Sequence, residues 1–249
     1  MAHVASLWRH PIKSHGREKL DAVTLIEGQT MPWDRHWAVT HEDSKWVADD
    51  PRWIMCRNFM IGVATPGLAG IWAEFDETTQ ILTLLHDGIG AHTFSPDDPS
   101  DFAGFLAWVL PLCPPDKRQP QSIVSAPGRG MTDTSFPSIS IMNMATHRAF
   151  EGRLGRKLEI ERWRGNIWLE GPAPWEEFEW TGHTVRIGDA ELHEHEPVRR
   201  CMAIAANPKT GLRDTDTLGV LRDEWDHQHF GVYATVIKTG RIAVNDTVE

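Results

Sequence analysis

What most constrains this chain is the shortness of its apolar runs. β-Branched and aromatic stretches are cut off within a few residues by Gly, Pro, Asn or Asp, and the 249 residues include 20 Gly and 16 Pro. Closely spaced breakers leave room for many short strands and few helices, so the expected class is mainly β, as a barrel or sandwich. Strands are expected at His3 to Trp8, Ala22 to Ile26 and Arg35 to Thr40, with Trp46 closing a hairpin around Glu42–Lys45. Ile71 to Phe75 and Gln80 to Leu85 flank a polar D-E-T-T turn, a hairpin signal. Further short strands are expected at Ile139 to Met142, Ile160, Ile167–Leu169, Val185–Ile187 and Val198–Ala205, and a closing hairpin at Tyr233 to Ile237 and Ile242 to Val244 around Thr239–Gly240. Three helices are expected: Asp98 to Leu110, Met144 to about Leu154 with Asn143 as N-cap, and Leu218 to Trp225. P-L-C-P-P-D-K-R-Q-P, residues 111–120, breaks regular structure and is the expected domain boundary, giving units 1–112 and 113–249.

Charge and cysteine usage narrow the function. The net charge of −10 argues against a whole-protein grip on nucleic acid, although a local basic pocket stays compatible with it. No apolar run reaches the length of a membrane span, and the start lacks the basic region and apolar stretch of a secretory signal, so no membrane and a cytoplasmic location are expected. Three cysteines, at 56, 113 and 201, make neither a disulfide framework nor a four-thiolate iron–sulfur site. Redox chemistry here would borrow its electrons.

Several segments carry residue types suited to chemistry. Cys201 follows Arg199 and Arg200 directly, and positive charge beside a cysteine favours thiolate. On a strand only Arg199 shares its face, so a bend is needed to bring Arg200 to the same site. The commoner role for such a cysteine is a buried structural one; the sharper one is a reactive thiolate or soft-metal ligand. In E-R-W-R-G-N, Arg162 and Arg164 alternate with Trp163, so a strand would place both on one face, suited to an anion or to salt bridges with Glu159 and Glu161. Asn166 adds a donor and an acceptor. Lys13, Ser14 and Arg35 are polar residues at strand ends, and Thr132, Asp133, Thr134 and Ser135 form a small polar loop. His193 with His195, and His227 with His229, are spaced to share a strand face and raise a zinc site as a weaker possibility. No phosphate-loop, dinucleotide or nucleophile-elbow motif is present.

In order along the chain stand H-P-I-K-S, W-D-R-H-W, T-D-T-S-F-P, R-W-R-G-N-I-W-L-E-G, R-R-C with N-P-K-T-G, and F-G-V-Y-A-T-V. This series resembles the MOSC family, named for the C-terminal domain of molybdenum cofactor sulfurase, and in layout resembles bacterial MOSC proteins and the mitochondrial amidoxime-reducing component. The resemblance implies an N-terminal β-barrel domain, then a MOSC-type β-barrel like that of pyruvate kinase, and a pocket for the molybdenum cofactor. It implies that Cys201 is the functional cysteine and metal ligand. By the same resemblance Lys13, Ser14, Arg35, Thr132, Asp133, Thr134, Ser135, Arg164, Asn166 and Arg200 contact the cofactor. The function so implied is reduction of N-hydroxylated small molecules, with electrons from a separate flavin or iron–sulfur protein. The alternative is a cofactor carrier or a sulfur carrier with persulfide on Cys201. Two departures stand out: Gly165 replaces a usual proline, and Asn207 replaces a usual aspartate before Pro208.

Overall fold

The computed structural model describes all residues, 1–249. Fourteen strands and three helices follow one another: β1 (His3–Arg9), β2 (Glu18–Leu20), β3 (Ala22–Leu25), β4 (Trp37–His41), β5 (Trp72–Asp76), β6 (Ile81–His86), β7 (Gly90–Phe94), α1 (Phe102–Val109), β8 (Pro120–Ser125), β9 (Ile139–Asn143), α2 (Met144–Leu154), β10 (Ile167–Glu170), β11 (Thr184–Ile187), β12 (Ala190–Arg199), α3 (Thr217–Trp225), β13 (His229–Lys238) and β14 (Gly240–Ala243). The molecule is mainly β, as the breaker pattern implies. No helix is long and apolar enough to cross a membrane.

The largest sheet has seven strands in the order β11-β12-β13-β9-β10-β1-β2. Its alternation is read on β13, where Val232, Ala234 and Val236 are buried while Tyr233 and Thr235 are half-buried on the other face. One apolar cluster joins these inward residues to Val4, Leu7, Ile139, Ile141 and Ile167. A second forms behind α2 and α3 around Phe150, Trp163, Trp168, Leu221 and Phe230. There Trp163 lies flat on Phe230, ring centroids 3.7 Å apart, which pins the chain just before Arg164. A third cluster holds β4 to β7 and α1 through Trp37, Leu82, Leu84 and Phe105. Each such large apolar side chain contributes about 2 kcal/mol when fully buried.

Hydrogen-bonded pairing crosses the proline-rich stretch repeatedly. β1 pairs antiparallel with β10, β4 with β8, and β3 with β14. The N-terminal residues therefore complete sheets begun by C-terminal ones. Two expected hairpins are corrected by these pairings. β4 takes β8 as partner instead of turning back through Trp46, and β14 takes β3 instead of β13. The Ile160 strand is instead a 3-10 turn, Ile160–Trp163. The strand expected over Val198–Ala205 stops at Arg199 and gives way to a 3-10 turn at Met202–Ala205.

Candidate functional site

A cavity of about 240 Å³ opens where loops from both halves converge. Lys13 and Ser14 follow β1, Arg35 precedes β4, Asp133 precedes β9, Arg164 precedes β10, Arg200 and Cys201 follow β12, and Tyr233 comes from β13; all line it. The loops are locked to one another through backbone groups. Arg35 N donates to His10 O at 2.6 Å, Met131 N donates to Arg35 O at 2.7 Å, and Lys13 N donates to Trp37 O at 2.8 Å.

Backbone strain concentrates here. Eight non-glycine residues have left-handed φ, and Ser14 (64°), Arg35 (50°) and Arg164 (48°) are three of them. Each such residue costs of order 1 kcal/mol and persists only where its surroundings over-determine it. The strain here turns two guanidinium groups into the cavity.

The electrostatics are lopsided. Six basic residues border the cavity (Lys13, Arg35, Arg162, Arg164, Arg199 and Arg200) with one carboxylate, Asp133, while Asp34 behind the lining pairs with Arg35, and Glu159 and Asp214 pair with Arg162. Lys13 Nζ donates to Met131 O at 2.7 Å and to Asp133 Oδ1 at 2.5 Å. Arg35 pairs with Asp34 and donates to Arg164 O at 2.9 Å. Burial alone would raise the Asp34 carboxyl, but Arg35 and then His10 outweigh it and hold it well below the usual carboxylate range. His10 is pushed down to about 3, first by burial, then by Arg164 and Arg35, so its ring is neutral at neutral pH.

Arg164 and Arg200 have no carboxylate partner. Arg164 donates to Gly16 O at 3.3 Å. Arg200 is buried and donates to Trp163 O at 2.7 Å, to Phe230 O at 2.9 Å and to Met142 Sδ at 3.1 Å. Neutral partners hold the group and leave its charge in place. Burial pushes Arg164 down to about 9, with Arg35 and Arg17 adding repulsion, and pushes Arg200 down to about 10. A guanidinium stays protonated at neutral pH, so these shifts mark positive charge that lacks an anion.

Cys201 stands at the end of β12, where the chain bends. It is exposed, against the commoner expectation of burial, while Cys113 is the buried cysteine. The bend puts Arg200 on the same cavity as Cys201, which an unbroken strand would forbid. Gly165 also acquires a physical role. A Cβ there would fall 2.2 Å from Met142 Cγ, and one at Gly231 would fall 2.4 Å from Met142 Sδ. The two glycines make the slot for the methionine that meets Arg200.

Other expected residues are placed differently. Asn166 is buried with its amide spent on the protein: Oδ1 accepts from Ser140 N at 3.1 Å and Ser140 Oγ at 2.9 Å, and Nδ2 donates to Trp8 O at 3.2 Å. It stitches β9, β10 and β1 together behind the cavity. The Thr134 hydroxyl is turned to Phe136 O and Ser138 Oγ, at 2.6 and 2.7 Å. Ser135 lines a neighbouring groove with Glu196 and His229. The Thr132 hydroxyl is buried without a partner and faces a small adjoining cavity beside Asp133 and Tyr233. Arg162 does not share a face with Arg164, because the 3-10 turn rotates it away. It pairs with Glu159 at 2.9 Å and with Asp214 at 2.8 Å. The histidine pairs stay apart on the β12–β13 ladder, with His193 opposite Thr235 and His229 opposite Arg199. No group of three or more His, Cys, Asp or Glu side chains is placed to hold a metal ion.

Sequence reasoning missed Tyr233, the only tyrosine in the chain. Burial, then Asp133, pushes its phenol up to about 12. The alternation of β13 carries the signal for it: Tyr233 is the polar aromatic on a strand whose flanking residues are small and apolar.

Comparison with known proteins adds the following. Residues 1–93 match the family model of the MOSC N-terminal beta barrel domain, and residues 135–249 match that of the MOSC domain. A molybdenum cofactor sulfurase of Drosophila mojavensis is 30% identical over 113 residues, 44% of this chain and 14% of the fly protein. Molybdenum cofactor sulfurase 2 of Culex quinquefasciatus is 31% identical over 81 residues, 32% of this chain and 10% of that protein. The matched stretch is thus a small part of these relatives' length. Among solved structures, the YuaD protein from Bacillus subtilis is 12% identical at a TM-score of 0.49, covering 100% of this chain and 94% of that one. YiiM from Geobacillus stearothermophilus is 21% identical at a TM-score of 0.35, covering 44% of this chain and 52% of that one.

Proposed function

The chain belongs to the MOSC family, and from that premise we propose that its cavity binds the molybdenum cofactor, with Cys201 as the protein's ligand to the metal. The observation that carries this is the cluster of basic side chains around Cys201, among them Arg164 and Arg200 without any carboxylate partner, in a chain of net charge −10. A phosphate-bearing, soft-metal cofactor needs both features: cations for the phosphate and one thiolate for the metal. Arg164 and Lys13 would hold the phosphate, since guanidinium takes it bidentately and ammonium acts as a point charge. Arg200 supplies positive charge beside Cys201 without occupying the cavity, because its donors are held by carbonyls. The unpartnered Thr132 hydroxyl, with Asp133 and Ser14, offers polar contacts for the heterocycle.

When bound, the cofactor supplies two-electron redox chemistry at molybdenum. The reaction proposed is reduction of an N-hydroxylated small molecule, with electrons from a separate flavin or iron–sulfur protein, since three cysteines cannot hold a four-thiolate cluster. The chain's part is orientation and electrostatics. One observation favours a second reading: Cys201 is exposed, as a persulfide carrier's thiol must be.

Elemental analysis separates the two. Protein purified from a host that makes the cofactor is expected to carry near-stoichiometric molybdenum, and Cys201→Ala to carry much less. Wild-type protein without molybdenum, gaining one sulfur on Cys201 after incubation with a cysteine desulfurase, overturns the first reading in favour of the second.

A further inference from the structure

Cofactor binding leaves one reactive side chain of the cavity unused: Cys56. It is half-buried, opens the 3-10 turn Cys56–Asn58, and lines the same cavity as Cys201. The segments that carry the two cysteines pack on each other. A Cβ at Gly62 would stand 3.5 Å from Ala203 Cβ, and Arg213 donates to Val63 O. Cys201 is the more exposed of the two sulfurs. Between β4 and β5 the backbone forms two 3-10 turns and one isolated bridge, Phe59 to Thr40 of β4, so Cys56 itself lies outside any strand.

We propose that Cys56 is the resolving thiol for Cys201 when a hydroperoxide enters the cavity. The Cys201 thiolate attacks one peroxide oxygen, the O–O bond breaks, and hydroxide leaves and takes a proton as water. Cys201 is now a sulfenic acid. The sulfur of Cys56 attacks that of Cys201, the S–O bond breaks, and the oxygen leaves as water with the proton from Cys56. Two thiols are oxidised to one disulfide and one hydrogen peroxide is reduced to two waters. The disulfide removes Cys201 as a metal ligand and halts its oxidation at a reversible stage.

The test is non-reducing peptide mapping of the full chain after treatment with one equivalent of hydrogen peroxide. The protein is made in cells that lack molybdopterin, so that both thiols are unligated and the readout is independent of cofactor binding. The expected result is a Cys56–Cys201 linked peptide that a dithiol reductant reverses. Cys56→Ser is expected to accumulate at least five-fold more sulfinic acid on Cys201. Cys113, buried and pushed up to about 11 by burial, is expected to stay reduced. Equal over-oxidation of wild type and Cys56→Ser, or a disulfide through Cys113, overturns the proposal. Should Cys56→Ser fail to fold, the wild-type map decides alone: no Cys56–Cys201 peptide overturns it.

Discussion

Arg162 and Arg164 are two residues apart, both line the same cavity, and differ in almost everything else. Arg162 has a fully buried side chain matched by Glu159 and Asp214. Arg164 has a left-handed backbone, a carbonyl partner and no acid. The turn at Ile160–Trp163 creates the difference by setting the Arg162 guanidinium between carboxylates and leaving that of Arg164 without one. A paired buried cation is structure, whereas an unpaired one is a place for an anion to bind.

The largest expected effect tests this contrast directly. Arg162→Ala strips Asp214 and Glu159 of their main partner and is expected to cost about 3–5 kcal/mol in denaturant unfolding. Arg164→Ala is expected to change stability by less than about 1 kcal/mol, because no ion pair is lost. It is expected instead to weaken binding of inorganic phosphate about ten-fold or more, measured by calorimetry. Equal loss of stability in both variants breaks the comparison.

Carboxylates repeat the pattern. Burial alone would raise the Asp214 carboxyl, but hydrogen bonds from Arg162, Asn207 and Thr215 hold it well below the usual range. Glu194 is fully buried, and neither side-chain oxygen has a partner. Burial, then the neighbouring Glu177, pushes it from 4.5 up to about 8. The folded chain thus keeps a proton that the unfolded chain releases above about 4.5. This contribution to stability is full below that pH, falls as pH rises, and levels off above about 8. The fall is on the order of 5 kcal/mol. Glu194→Gln, a neutral isostere, is expected to flatten this component, leaving the variant less sensitive than wild type between pH 5 and about 8.5 in thermal unfolding. Parallel profiles in the two proteins would show that Glu194 is ionised throughout.

Elements set by local chemistry are legible in the sequence. The helix α2 begins at Asn143, whose side chain accepts from Ala145 N at 2.8 Å, and ends at Gly155 with φ 74°, as cap residues dictate. The β5–β6 hairpin forms across its polar turn. Partners chosen over long range are not legible. Nothing in Trp37–His41 favours Pro120–Ser125 over a neighbour closer in sequence, and β14 reads as half of a hairpin until β3 takes it. The candidate site divides the same way. Motif order brings Lys13, Arg35, Arg164, Arg200 and Cys201 to one cavity, but R-W-R reads equally as a strand or a turn. The alternation of residue types carries no record of the rotation that separates Arg162 from Arg164. Nor does it show that the Asn166 amide is spent on Ser140 and Trp8.

The smallest expected effect concerns Asn207, which stands where the resemblance to the MOSC family implies an aspartate. Here Asn207 Nδ2 donates to Asp214 Oδ2 at 2.7 Å, and Oδ1 accepts from Lys209 N at 2.8 Å. Asn207→Asp keeps the second bond and replaces the first by two carboxylates in contact. Arg162 and Arg156 both lie within reach of Asp214 and attract the added charge, so repulsion and attraction largely offset. At a partly exposed site the net cost is expected to be about 0.5–1 kcal/mol, shrinking as salt is added. A more stable variant would mean that Arg162 and Arg156 hold positive charge beyond what Asp214 and Glu159 neutralise. Arg162 would then belong with Arg164 among the under-compensated cations, and the line between structural and binding arginines would have to be drawn beyond both.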